Sequence, residues 1–202
     1  RCFDRKESFA TPKSIARNAF DEYEGEEESE LELYVPKVAA TLSGEHVKAW
    51  KEFEDFEGDS TIYLQRFNKD GQPNGERVPV VSDSEGLSNP CVSMNAFGFG
   101  VVAWMIEGSE IYFAFFEFNE EEDGIMLDED EPTEVTTDAF DSYFGLDMDP
   151  NTGNFVLVWT EDTGFSTEIR AETFDNEGDS IPEGDFLIEE VGSESSPNPS
   201  VK

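Results

Sequence analysis

Three oxygen-bearing side chains alternate along one short run, Asp147, Asp149 and Asn151, with Gly153 closing a D-x-D-x-N-x-G pattern. Calcium takes several hard oxygens held on a tight turn, so this run is the calcium candidate and calcium the only cofactor expected. The glycine is displaced from its usual place in such a loop and no bidentate glutamate follows. A plain hairpin turn therefore competes with the metal reading. Asp175, Glu177 and Asp179 form a weaker second set. His46 is the only histidine, so any histidine-centred triad would rest on one residue between Glu45 and Val47. The chain has no G-x-S-x-G, no P-loop and no dinucleotide fingerprint. A glycosidase needs two carboxylates at a defined separation, and 48 acidic residues offer no way to choose them. The expectation is a protein that is not an enzyme. Cys2 and Cys91 allow one disulfide, which would suit an oxidising compartment; two free thiols are the alternative. No CxxC is present, so structural zinc has no support.

These residues are carried by an extremely acidic chain. Across 202 residues there are 48 Asp plus Glu against 13 Lys plus Arg, a formal net charge of −35. Such a surface repels phosphate backbones and anionic lipid, so nucleic-acid partners are not expected. It attracts cations or basic partners. Solubility in a salty setting, where counterions screen self-repulsion, competes with specific binding of divalent cations. No run of about 20 apolar residues offers a membrane span. The chain begins at Arg1 rather than Met, which reads as a processed form or a fragment. Disorder is set aside for most of the length because 18 Phe, 5 Tyr and 3 Trp fall in patterned runs.

The elements that carry the chemistry repeat. Trp50, Trp104 and Trp159 are spaced 54 and 55 residues apart, and each ends a similar run: HVKAW, GVVAW and FVLVW. A matching segment precedes each Trp and another follows it, which marks a repeat architecture. Repeats are placed at 33–86, 87–141 and 142–194, with a partial fourth at 195–202. Each reads as four short strands broken by Gly/Asp/Asn/Pro turns. The strands are expected near 34–41, 45–51, 60–68 and 76–82; near 89–95, 98–106, 110–118 and 133–137; and near 143–149, 154–161, 166–174 and 185–191. The second strand is apolar without alternation and so is expected to be buried on both faces. The third alternates, with Ile62, Leu64 and Arg66 on one side, and reads as half exposed. The three tryptophans are expected at equivalent buried positions. Phe113, Phe115 and Phe116 read either as packing between sheets or as a carbohydrate platform. Segment 119–134 reads as an acidic expansion of a turn, flexible or cation-dependent. Residues 1–32 lie outside the repeats; Thr11 and Pro12 open a helix expected over 12–24, whose apolar face is expected to cover one end of the repeat array, followed by an acidic connector.

IYLQRFNKDG in the first repeat, NPCVSMNAFGFGVVAW in the second, and LDMDPNTGNFVLVW with IRAETFDNEG in the third carry a resemblance. They resemble a group of bacterial tandem repeats of about 50 residues. The group's pattern runs P-x-V-A, then G-x-F-V-V-x-W, then I-Y-x-Q-R-F-D-x-x-G. The resemblance covers about 33–202. It implies secreted or surface proteins with propeller-like four-stranded units, and it brings no catalytic residues. The chain departs from the pattern at His46 and by two extra residues in the third strand of repeat two.

The resulting expectation is an all-β, propeller-like array of antiparallel sheets with a short helical N-terminal segment. Its function would be non-catalytic, structural or adhesive, and extracellular or at the cell surface. The partners would be other copies of the chain or other surface proteins. A propeller module binding carbohydrate or protein within a larger secreted protein is the alternative, and a propeller-fold hydrolase fragment the third. The terminal SPNPSVK resembles a first strand without its sheet. Either the chain is a piece of a longer array, or this strand closes its own array or adds to a neighbouring subunit. For the last, Pro197, Pro199 and Val201 are the candidate assembly residues, since an unpaired strand edge recruits a partner.

Overall fold

A computed structural model describes residues 36–53, 59–83, 86–106, 110–119, 124–128, 131–136, 139–181 and 186–192. All of them belong to one unit, Tyr34–Lys202. The expected helix over 12–24 lies outside the described residues.

Every regular element described is a strand, and the strands form three open antiparallel sheets. The first sheet has the order β1 (Lys37–Ala40), β2 (His46–Phe53), β3 (Ser60–Phe67), β4 (Pro73–Asp83). The last has the same meander: β10 (Ala139–Met148), β11 (Phe155–Asp162), β12 (Ser166–Phe174), β13 (Phe186–Gly192). The middle sheet runs β5 (Cys91–Met94), β6 (Phe99–Ile106), β7 (Glu110–Asn119), β8 (Gly124–Leu127), and β9 (Thr133–Thr136) also pairs with β7. These positions match the expected strands closely. The difference is β8, which lies inside the segment expected to be an expanded loop. Ile125 is only 8% exposed and joins the core between the first two sheets. The middle sheet thus divides between β8 and β9 the pairing that β4 alone provides along β3.

The registers make the repeats equivalent residue by residue. Trp50 pairs with Tyr63, Trp104 with Tyr112, and Trp159 with Arg170. In each sheet the pairing of the third and fourth strands shifts at the same place: Ile62/Tyr63, Ile111/Tyr112 and Ile169/Arg170. A bulge that recurs at one position belongs to the repeat's design, because it sets the local bend of the outer strand.

Two cores hold the sheets together, and β6 feeds both. Val102 and Trp104 lie with Val47, Ala49, Ile62 and Leu64 of the first sheet. Val101, Ala103 and Met105 lie with Leu157 and Trp159 of the last. Both faces of β6 are covered, so its composition needs no polar alternation. The sheets therefore layer first, middle, last, and β5 lies against both β1 and β10. Close approach makes Gly100 necessary: a Cβ there would collide with the Phe116 ring and lie 2.7 Å from Met94 Cβ and from the Ser93 carbonyl.

The turns repeat as well. Asn68 and Asp175 each accept two backbone N–H groups through Oδ1, and Gly71 and Gly178 follow at φ of 75° and 87°. The side chain mimics a backbone turn, and the glycine takes the left-handed conformation the turn demands.

Candidate functional site

The D-x-D-x-N-x-G run forms the β10–β11 turn. Asp149 Oδ1 accepts the backbone N–H of Asn151 at 2.7 Å and of Thr152 at 3.0 Å. Those two donors hold its carboxyl below the usual range. Asp147 Oδ1 accepts the Ser93 hydroxyl at 3.3 Å. Asn151 is exposed. Asp175 spends its carboxylate on its own turn in the same way. Among the described residues no group of three His, Cys, Asp or Glu side chains is arranged to hold a metal ion. The geometry that is visible here is turn chemistry.

Trp104 and Trp159 are each 1% exposed, whereas Trp50 is half-buried. The expectation of three equivalent positions holds in register, and full burial holds at two. The difference follows from layering. Trp104 packs toward the first sheet and Trp159 toward the middle one, while neither core cluster includes Trp50. The buried indoles of Trp104 and Trp159 have no hydrogen-bond acceptor; that of Trp50 donates to Glu52 at 2.8 Å. Tyr112, stacked on Trp104, donates to Glu110 at 2.9 Å, and this pushes its phenol up to about 12.

Cys91 carries a free thiol whose Sγ points at the Phe144 carbonyl at 3.7 Å. Burial pushes that thiol up. Its expected partner Cys2 lies outside the described residues, as do Pro197, Pro199 and Val201. His46 stacks on Phe67 at 5.2 Å with its Nδ1 3.4 Å from the Gly44 carbonyl, an ordinary strand-face environment.

Among the described residues two further surfaces offer places to bind something, besides a cleft of about 330 Å³ beside the β10–β11 turn lined by Asp147, Asp149, Phe155 and Ile181. The first is a cleft of about 330 Å³ in the middle sheet, lined by Phe99, Phe115, Phe116, Met126 and Leu127 with Glu117 and Asp128. Phe99 and Phe115 stack at 5.2 Å. Turns of the last sheet approach this pair so closely that a Cβ on Gly178 would lie 3.1 Å from Phe115. Phe113 and Phe116 are each 1% exposed, one in each core, so the packing reading holds for them, with Phe116 also reaching the floor of the cleft. A cleft with aromatic walls and carboxylates suits an apolar or cationic group.

The second surface is the outer face of the first sheet. Trp50 and Tyr63 stack at 5.9 Å. Lys48 lies 5.2 Å from the Trp50 ring and Arg77 4.1 Å from the Tyr63 ring. Arg77 also pairs with Glu52 at 2.6 Å. The Trp50 indole, followed by Arg77, holds the Glu52 carboxyl below its usual range. Sequence reasoning missed this cluster. Its signal was the polar character of Lys48 and Glu52 at repeat positions that are Val102 and Ile106 in the middle sheet.

Comparison with protein-family models gives no match, and comparison with curated proteins gives none either.

Proposed function

We propose that the chain is a non-catalytic structural repeat protein, extracellular or on a cell surface, whose sheets are propeller-like units and whose ends join other subunits. The observation that carries this reading is the repeated interface. Trp104 and Trp159 seat each sheet on the one before it, in the same register, with the same recurring bulge in the outer strand. The four-stranded meander and the adjoining first strands suit blades of such an array. Among the described residues the first and last sheets each have a neighbouring sheet on one face only, and ends of this kind are capped or joined. The resemblance to bacterial surface repeats points the same way. Light scattering of the full chain at micromolar concentration, with electron microscopy of the same sample, tests it. Particles well above the 22.7 kDa of one chain are expected; a strict monomer would overturn it.

The Phe99–Phe115 cleft favours a second reading, a ligand-binding module. Chemical-shift changes confined to these rings on titrating sugars or organic cations would support that reading.

A further inference from the structure

Given the end-to-end assembly proposed above, we infer that the outer face of the first sheet receives a second copy of this chain, through that copy's acidic last sheet.

Repeat equivalence identifies the face. In both internal interfaces the tryptophan of the second strand looks toward the preceding sheet. Trp50 occupies the same position, so its face is the one on which a preceding sheet would sit. The residues around it have been exchanged. Lys48 stands where the other sheets have Val102 and Leu157, and Gln65 where the middle sheet has Ala114. The face keeps the aromatic centre of a sheet-on-sheet contact and adds cations above it. Lys48 and Arg77 sit over the rings of Trp50 and Tyr63. Ring faces covered in this way are poor platforms for stacking sugars. Glu52 pairs with Arg77 at 2.6 Å, so with Lys48 the face keeps one net positive charge on a half-buried aromatic base, which suits a carboxylate-rich protein surface.

Charge along the chain says where such a surface lies. Residues 1–77 hold 11 basic and 18 acidic side chains, while residues 78–202 hold 2 basic and 30 acidic. The last sheet ends in β13, where Phe186, Leu187 and Ile188 are 45%, 50% and 51% exposed beside exposed Glu189 and Glu190. An apolar edge strand followed by two carboxylates complements an aromatic face on which Lys48 and Arg77 outnumber Glu52. The contact joins unlike ends of the molecule, so it is heterologous and builds rings or open filaments. Two chains of charge −35 repel at a distance. At about 0.15 M salt the Debye length is about 8 Å, so contact pairs persist while that repulsion fades.

Charge reversal separates a specific contact from bulk electrostatics. The full chain is compared with K48E/R77E, E189K/E190K and the quadruple variant by light scattering in about 0.15 M salt. Each double variant is expected to weaken association at least about tenfold, and the quadruple variant to restore it. E189K/E190K is decisive because it lowers the net charge: bulk repulsion predicts stronger association, the pairing weaker. Circular dichroism confirms folding, and K48Q/R77Q replaces any variant that does not fold. Association unchanged in both double variants would overturn this interface and leave the assembly reading standing. Weakening that the quadruple variant fails to restore would also overturn it. A monomeric full chain at micromolar concentration would overturn both.

Discussion

Trp104 is enclosed by two sheets and Trp50 by one, although the two occupy the same repeat position. Deleting a large side chain costs its transfer free energy and leaves a cavity where neighbours cannot close in. Trp104→Ala should therefore cost about 3–5 kcal/mol. Trp50→Ala should cost roughly 1–2 kcal/mol, because its ring is only partly enclosed. Urea titration of both variants checks the ratio, and equal losses would contradict the layering. Arg66 makes a different residue-scale case. It is 3% exposed, stacks 4.3 Å from the Phe118 ring and donates to Glu45 at 2.7 Å and to the Asn119 carbonyl at 3.2 Å. That guanidinium holds the Glu45 carboxyl below its ordinary value. A lowered folded-state value contributes stability above the ordinary carboxylate range and loses it as the pH falls through the folded value. Glu45→Gln should cost about 1–2 kcal/mol at neutral pH, less than a fully buried pair because Glu45 is 31% exposed. The penalty should shrink and then vanish as the pH falls below the ordinary carboxylate range and Glu45 itself protonates. A penalty independent of pH would place the effect in packing rather than charge.

At the scale of elements, β8 is the test of what holds the middle sheet's outer edge. Ile125 is buried against the first sheet, whereas its neighbour Met126 is 48% exposed. Ile125→Ala should cost about 2–4 kcal/mol and Met126→Ala little. Hydrogen exchange should show protected amides across 124–127, and free exchange there would return the segment to a loop. Most strands were legible because the repeats supplied three readings of each one. β8 was not, since GIML is four residues long and is set among carboxylates. It becomes a strand only because β7 offers it an edge and the first sheet a place for Ile125. The burial of Arg66 was equally hidden: its position on the inward side of β3 could be read, but not the Phe118 ring and the carbonyl that receive it. Strand alternation places Lys48 on the face of Trp50, but Arg77 required the register, because only the Trp50–Tyr63 pairing brings its guanidinium to that face.

For the whole molecule the governing term is charge. A net −35 lowers the stability of any folded state through self-repulsion, and the repulsion is concentrated beyond Arg77, where two basic residues face 30 acidic ones. Folding brings those carboxylates together around two cores, so screening stabilises the folded state more than the extended one. Sodium chloride raised from about 0.02 to about 0.3 M shortens the Debye length severalfold and should raise the melting temperature. A rise of about 5 °C would correspond to roughly 1–3 kcal/mol for a domain of this size. A melting temperature that falls or stays level would mean the carboxylates are already neutralised by bound cations. Calcium at matched ionic strength separates screening from a site. Asp149 uses one oxygen on its own turn and Asp147 takes a hydroxyl, yet each keeps a second oxygen. If those oxygens hold calcium, the calcium shift exceeds the sodium shift and Asp149→Asn abolishes the surplus. Equal shifts leave the turn to its backbone hydrogen bonds and the stabilisation to screening alone.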